Sequence, residues 1–296
     1  MKHVMVAGSA NARILAELRD RGLDRRIRVL AQGDSWFAFP LPVIGMPRNL
    51  VEAIETRKAT VAINLSIVGD TAENMAQGDR FAQLRAILCG TGDEEPIEIA
   101  AILLSAGGND LIDRIADLVG TVTRGLKGIA REEAHRRVMR ELASGAATAI
   151  YDDVIAHIRL LIEARGSGPS ARAPVIVHGY AHVTPRDAPA LRFPIKVGPW
   201  IWKKLSPLGY TQPEQQEIAA RVIDEFNRRL ATLHDESKGI YVLDLRTLQA
   251  AGGPLPVADP KWLEPTAYWH DEIHLDAAGW DCVAATLYAP LLDRLL

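Results

Sequence analysis

Five short apolar runs, Ile27–Gln32, Ala59–Leu65, Ile97–Ser105, Pro174–Val177 and Gly239–Leu245, recur along the chain with segments of helical spacing between them. Each is short enough for a strand, and its apolar residues run on instead of alternating, which marks a strand covered on both faces. Strands of that kind alternating with helices require a parallel sheet with helices above and below it. The helices are legible from their periodicity. Ile14, Leu15 and Leu18 share a face before Gly22, and Ile218, Val222, Phe226 and Leu230 share one within Glu214–Glu236. Val51–Ile54 begins another. Gly125–Arg165, rich in Ala, Arg and Glu, reads as one long helix or two, with a weak point at Ser144-Gly145.

The 296 residues suffice for a large core, and 48% hydrophobic with 24% charged residues is the balance of a water-soluble globular chain. A single domain is expected. The net charge of −3 is small and the basic residues are interspersed with acidic ones, so nucleic acid is not expected as a partner. The segment Met1–Gly8 is too short and too polar for a secretory h-region. No stretch approaches the apolar length that spans a bilayer, and a cytoplasmic location is expected. Cys89 and Cys282 are expected as free thiols.

Four polar segments fall at or beyond the ends of these elements: Gly33-Asp34-Ser35-Trp36, Gly69-Asp70, Gly107-Gly108-Asn109-Asp110 and Asp271-Glu272-Ile273-His274. Ser35 follows the first of the five strands, where open α/β sheets present reactive groups. A serine hydroxyl needs a neighbouring base before it is an effective nucleophile. Asp271 and His274, three residues apart ahead of a helix capped by Asp276, can supply an imidazole whose tautomer is fixed by a carboxylate. Gly69 and Asn109 follow the second and third strands. With the Ser35 N–H, they provide donors for an oxyanion.

In their order, these segments resemble the blocks of the SGNH hydrolases, also called the GDSL lipase/esterase family. Trp36 stands where that family most often has Leu. The resemblance implies a flavodoxin-like three-layer α/β/α sandwich with a five-stranded parallel sheet in the order 2-1-3-4-5. It implies Ser35 as nucleophile, His274 as base, and Gly69 and Asn109 as oxyanion donors beside the Ser35 N–H. Two regions lie outside its motifs: a helical insertion over about 120–165 and a lid-like loop over about 184–210, which contains Pro194 and Gly198-Pro199-Trp200-Ile201-Trp202.

Trp36, Phe37, Trp200, Trp202 and Tyr210 are candidates for an aromatic acyl wall. Asp34 and His178 are further candidates for substrate contact, and His182 for lining the same cleft. The expected activity is cleavage of a carboxylic ester through an acyl-serine, without a cofactor, on a small molecule such as an acylated sugar or lipid. Two alternatives use the same residues: acyl transfer to a sugar or lipid hydroxyl, and a binding module without turnover. Zinc at His270 and His274 fits poorly, because Glu272 is displaced by one position from the zincin pattern. No dinucleotide or Walker fingerprint is present.

Overall fold

The computed structural model describes residues 1–38, 48–92, 94–119, 123–166, 168–191, 196–249 and 267–296. The loop expected at Pro40–Pro47, and Pro194, lie outside these residues. Six strands make one parallel sheet: β1 (Lys2–Met5), β2 (Ile27–Gly33), β3 (Thr60–Asn64), β4 (Ala101–Ser105), β5 (Val175–His178) and β6 (Ile240–Leu243). The first half of the chain adds helices α1 (Asn11–Asp20), α2 (Ser35–Ala38), α3 (Leu50–Ala53), α4 (Ala72–Met75) and α5 (Gly78–Cys89). The second half adds α6 (Gly108–Val119), α7 (Gly128–Leu142), α8 (Gly145–Glu163), α9 (Trp202–Leu205), α10 (Gln212–Leu230), α11 (Ala277–Val283) and α12 (Ala289–Leu295). Helices lie on both sides of the sheet.

The strand order is β1-β3-β2-β4-β5-β6. The five strands read from the sequence keep the expected 2-1-3-4-5 arrangement, and the correction is a sixth strand at the edge. Lys2–Met5 pairs in parallel with Val61–Asn64. With one ladder to fill and only Val4 buried, it carries little apolar signal. The third run is shorter than expected, because its first half bonds elsewhere. Ile97 N–H donates to Ile87 O (2.7 Å) and Ile99 N–H to Ser170 Oγ (2.9 Å), so only Ala101–Ser105 joins the ladder.

The chain runs one way from β2 to β3 and then crosses back to β4, which makes the β2/β4 boundary a switch point of the sheet. Ligands bind in such crevices, beyond the carboxyl ends of the strands. Ser35 and Asn109 follow the two strands that flank it.

The break expected near Ser144-Gly145 separates α7 from α8. Tyr151, Val154, Ile158 and Leu161 of α8 are core residues in the crossover from β4 to β5, whereas α7 buries only Val138 and Leu142. Ile218, Val222, Phe226 and Leu230 of α10 are buried together, and Asp276 caps α11 by accepting from Gly279 N–H (2.8 Å). Cys89 and Cys282 are not joined in a disulfide. Among the described residues, no helix is long and apolar enough to cross a membrane.

Candidate active site

Ser35 opens the single turn α2, where the chain leaves β2. The turn is fixed by its neighbour: Asp34 Oδ1 accepts from Trp36 N–H (2.9 Å) and Ser105 Oγ (2.8 Å), and Oδ2 accepts from Tyr180 Oη (2.9 Å). Burial pushes the Asp34 carboxyl up to about 6, against the pull of those three donors. Asp34 therefore holds the architecture around the serine, and it also lines the cleft described below.

Ser35 Oγ lies 2.8 Å from His274 Nε2, and His274 Nδ1 lies 2.7 Å from Asp271 Oδ2. Asp271 Oδ1 accepts from the backbone N–H groups of Ile273 and His274, both at 2.8 Å, which closes the turn that sets the carboxylate beside the ring. Ser35 is 5% exposed, His274 1% and Asp271 0%. Burial pushes the Asp271 carboxyl up, but His274 and the hydrogen bonds from its ring and from the two amides outweigh it, and the net shift is downward. An ionised carboxylate is thus fixed against one ring nitrogen while a hydroxyl meets the other. That arrangement lets an imidazole take a proton from serine.

Gly69 and Asn109, the donors expected from the sequence, lie in the segments that follow β3 and β4. Leu65 N–H donates to Ala31 O (2.8 Å) and Ile67 N–H to Gly33 O (3.0 Å), carrying the chain past the end of β2. Gly69 then turns with φ +80°, a conformation that strongly favours glycine. Asn109 Nδ2 donates to Asp70 O (2.9 Å), and Ala72 N–H donates to Asp110 Oδ2 (2.8 Å), so the third segment grips the second. Arg80 completes the hold, with Nη2 bonded to Leu65 O (2.6 Å) and Asp70 Oδ2 (2.9 Å). Asn109 and Ser35 line one cleft, and Gly69 is adjacent to the residue that Asn109 holds.

That cleft is aliphatic. Leu111, Ile115, Val183, Val222, Ile223 and Ile273 line it together with Ser35, Trp36 and Tyr180. Trp36 is the one member of the expected aromatic wall found there, edge-on to Trp280 at 5.0 Å. Trp200 instead packs edge-on against the His274 ring at 5.1 Å, and Trp202 opens α9. His178 is fully buried outside the cleft, stacked on Trp36 at 5.2 Å, with Nδ1 2.8 Å from Gly179 O. Burial lowers its pKa to about 4. His182 Nε2 lies 2.7 Å from Asp224, so neither histidine is among the residues lining the cleft.

Tyr180 was not anticipated from the sequence. Its hydroxyl donates to Asp34 and accepts from Gly108 N–H (3.1 Å), joining the first and third segments. A tyrosine two residues past a strand has no local signature for such a bridge. Glu272, weighed in the sequence only against a zincin pattern, accepts at its carboxylate from the N–H groups of Trp200, Ile201 and Trp202.

No family model matches the sequence, and no curated protein matches it. Solved structures do. A putative GDSL-like lipase from Bacteroides ovatus aligns over 91% of this chain and 53% of its own, at 10% identity and a TM-score of 0.42. A carbohydrate esterase family 3 protein from Talaromyces cellulolyticus aligns over 91% and 98%, at 10% identity and a TM-score of 0.42. The lipase/acylhydrolase from Enterococcus faecalis aligns over 90% and 96%, at 15% identity and a TM-score of 0.38. The chain spans about half the length of the Bacteroides ovatus protein. At these identities and TM-scores the likeness assigns neither family nor activity to this chain.

Proposed function

We propose that the protein is a serine hydrolase, acting as one domain, that cleaves carboxylic esters with an aliphatic acyl group. The observation that carries this reading is the run of two hydrogen bonds from Ser35 Oγ through His274 to Asp271, at 2.8 and 2.7 Å, opening on an aliphatic cleft. Ser35 Oγ attacks the ester carbonyl as His274 Nε2 takes its proton. The C=O electron pair moves onto oxygen, where the N–H groups of Ser35 and Gly69 and the Asn109 amide stabilise the charge. Asp271 holds the ring and stabilises the imidazolium. Collapse of the intermediate breaks the C–O bond to the alcohol, which leaves with the proton from His274. Water, deprotonated by His274, then attacks the acyl carbonyl; the bond to Ser35 Oγ breaks, His274 returns the proton to Oγ, and the acid is released.

The cleft supports the acyl preference, since transfer of apolar surface out of water contributes about 0.8 kcal/mol per methylene buried. Treatment with a fluorophosphonate, peptide mapping of the adduct, and assay of p-nitrophenyl esters graded by acyl length test the reading. The expected result is a single adduct on Ser35, with kcat/KM rising with chain length until the cleft is full. No adduct and no hydrolysis would leave a binding module. Comparison of free acid with acyl transfer to an added alcohol separates hydrolysis from transfer.

A further inference from the structure

Glu272 sits between Asp271 and His274, yet its carboxylate bonds to a different segment. Oε2 accepts from the N–H groups of Trp200 (2.6 Å) and Ile201 (2.9 Å), and Oε1 accepts from Trp202 N–H (2.6 Å). The side chain is fully buried. A carboxylate removed from water is costly unless its oxygens are saturated. Burial does push the Glu272 carboxyl up, against the N–H groups of Ile201, Trp202, Trp200 and Arg186.

Two other contacts join the same pair of segments. Arg186 Nη2 donates to Asp271 O (2.7 Å), and the Trp200 ring meets the His274 ring edge-on at 5.1 Å. The turn that carries Asp271 and His274 is therefore attached to Arg186 at its first carbonyl and to Trp200–Trp202 at its second side chain, and the imidazole meets the Trp200 ring. A lid needs freedom to leave the site. Arg186 and Trp200–Trp202 are tied to the turn that carries His274 instead.

We propose that Glu272 is a positioning residue: by anchoring the Trp200–Trp202 amides it seats Trp200 against His274 and holds the imidazole in line with Ser35. The inference rests on the reading of His274 as the base of Ser35. A base displaced by about 1 Å loses on the order of 100-fold in rate. Glu272→Gln keeps the shape, but it removes the charge and sets an amide NH2 against a backbone N–H that needs an acceptor.

The test combines three measurements on Glu272→Gln: active-site titration with a fluorophosphonate, kcat and KM on a short p-nitrophenyl ester, and the low-field proton NMR signal of His274 Nδ1–H. The expected result is full titration, kcat per titrated site lower by about 10- to 100-fold, and KM within about 3-fold, the pattern of an interaction made in the transition state. The Nδ1–H signal should shift or broaden. A kcat per titrated site within about 2-fold of the parent, with an unmoved signal, would overturn the proposal even if the melting temperature fell. Should Glu272→Gln not fold, Glu272→Asp is judged by the same criteria, since it keeps the charge but falls one methylene short. If the parent protein neither labels nor turns over, the hydrolase reading fails by itself. The NMR signal then decides the role of Glu272: a shift on substitution supports it and no change defeats it.

Discussion

The two sides of the site are held in different ways. Asp271 and His274 are enclosed and bonded to each other, to Ser35 and to their own turn, whereas Gly69 is exposed and Asn109 is half-buried with its amide on the carbonyl of Asp70. His274, the proposed base, is held by Asp271 from its own turn and meets the Trp200 ring, while Arg186 bonds the carbonyl of Asp271. Gly69 and Asn109, the proposed donors, are held by a glycine turn and by one loop gripping another. A proton relay tolerates little misalignment, while on the proposed reading Gly69 and Asn109 must present donors to an incoming ligand. The difference in burial matches that division of labour.

The largest expected effect tests whether the enclosed side is the chemical one. Ser35→Ala and His274→Ala should each lower kcat by about 10⁴- to 10⁶-fold, with circular dichroism unchanged. Near-parental turnover in either variant would remove the basis of the contrast. Asn109→Ala should cost about 10²- to 10³-fold in kcat. It should also speed hydrogen exchange around residues 67–71 while leaving 271–274 as protected as before. Faster exchange in both segments would mean that the two sides are not independently held.

A pH experiment sharpens the comparison beneath the site. The His178 pKa is lowered to about 4 from 6.5, so the unfolded chain binds its proton first, and stability is lost as pH falls from 6.5 towards 4. Asp34 is raised to about 6 from 3.8, so the folded chain binds its proton first, and stability is gained as pH falls through 6 towards 4. Each contribution is on the order of 3 kcal/mol, and the two oppose one another. Urea unfolding of His178→Phe at pH 6, 5 and 4 should therefore show stability rising relative to the parent. Asp34→Asn should show it falling. Slopes of the same sign in both variants would contradict the assignment.

The smallest effect belongs to Gly69→Ala. Among the described residues, no atom beyond its chain neighbours lies within 4 Å of the added Cβ, so the φ of +80° carries the strain, at a cost of about 1 kcal/mol read by thermal unfolding.

Much of this was legible in the residues. The five runs became strands in the expected order, and Ser35, Asn109, Asp271 and His274 meet because each lies where a strand ends or a helix begins. What escaped depends on distances that no local pattern carries. Leu111, Ile115 and Val222 have ordinary core periodicity, and nothing in a helical stripe tells a cleft from a core. Aromatic content around Trp200 suggested ligand contact, but its ring is used against His274. His178 followed a strand as a ligand-facing histidine would, yet it is wholly covered beneath Trp36.

The hydroxyl of Tyr180, held between Asp34 and the amide of Gly108, has a consequence for how this architecture can vary. A Cβ at position 108 would come within 2.7 Å of Cζ of that ring. The width of one phenol therefore gauges the gap between the serine turn and the asparagine helix. A bulkier residue at 108, or a shorter one at 180, would reset the gauge and shift Ser35 relative to Asn109 without altering either.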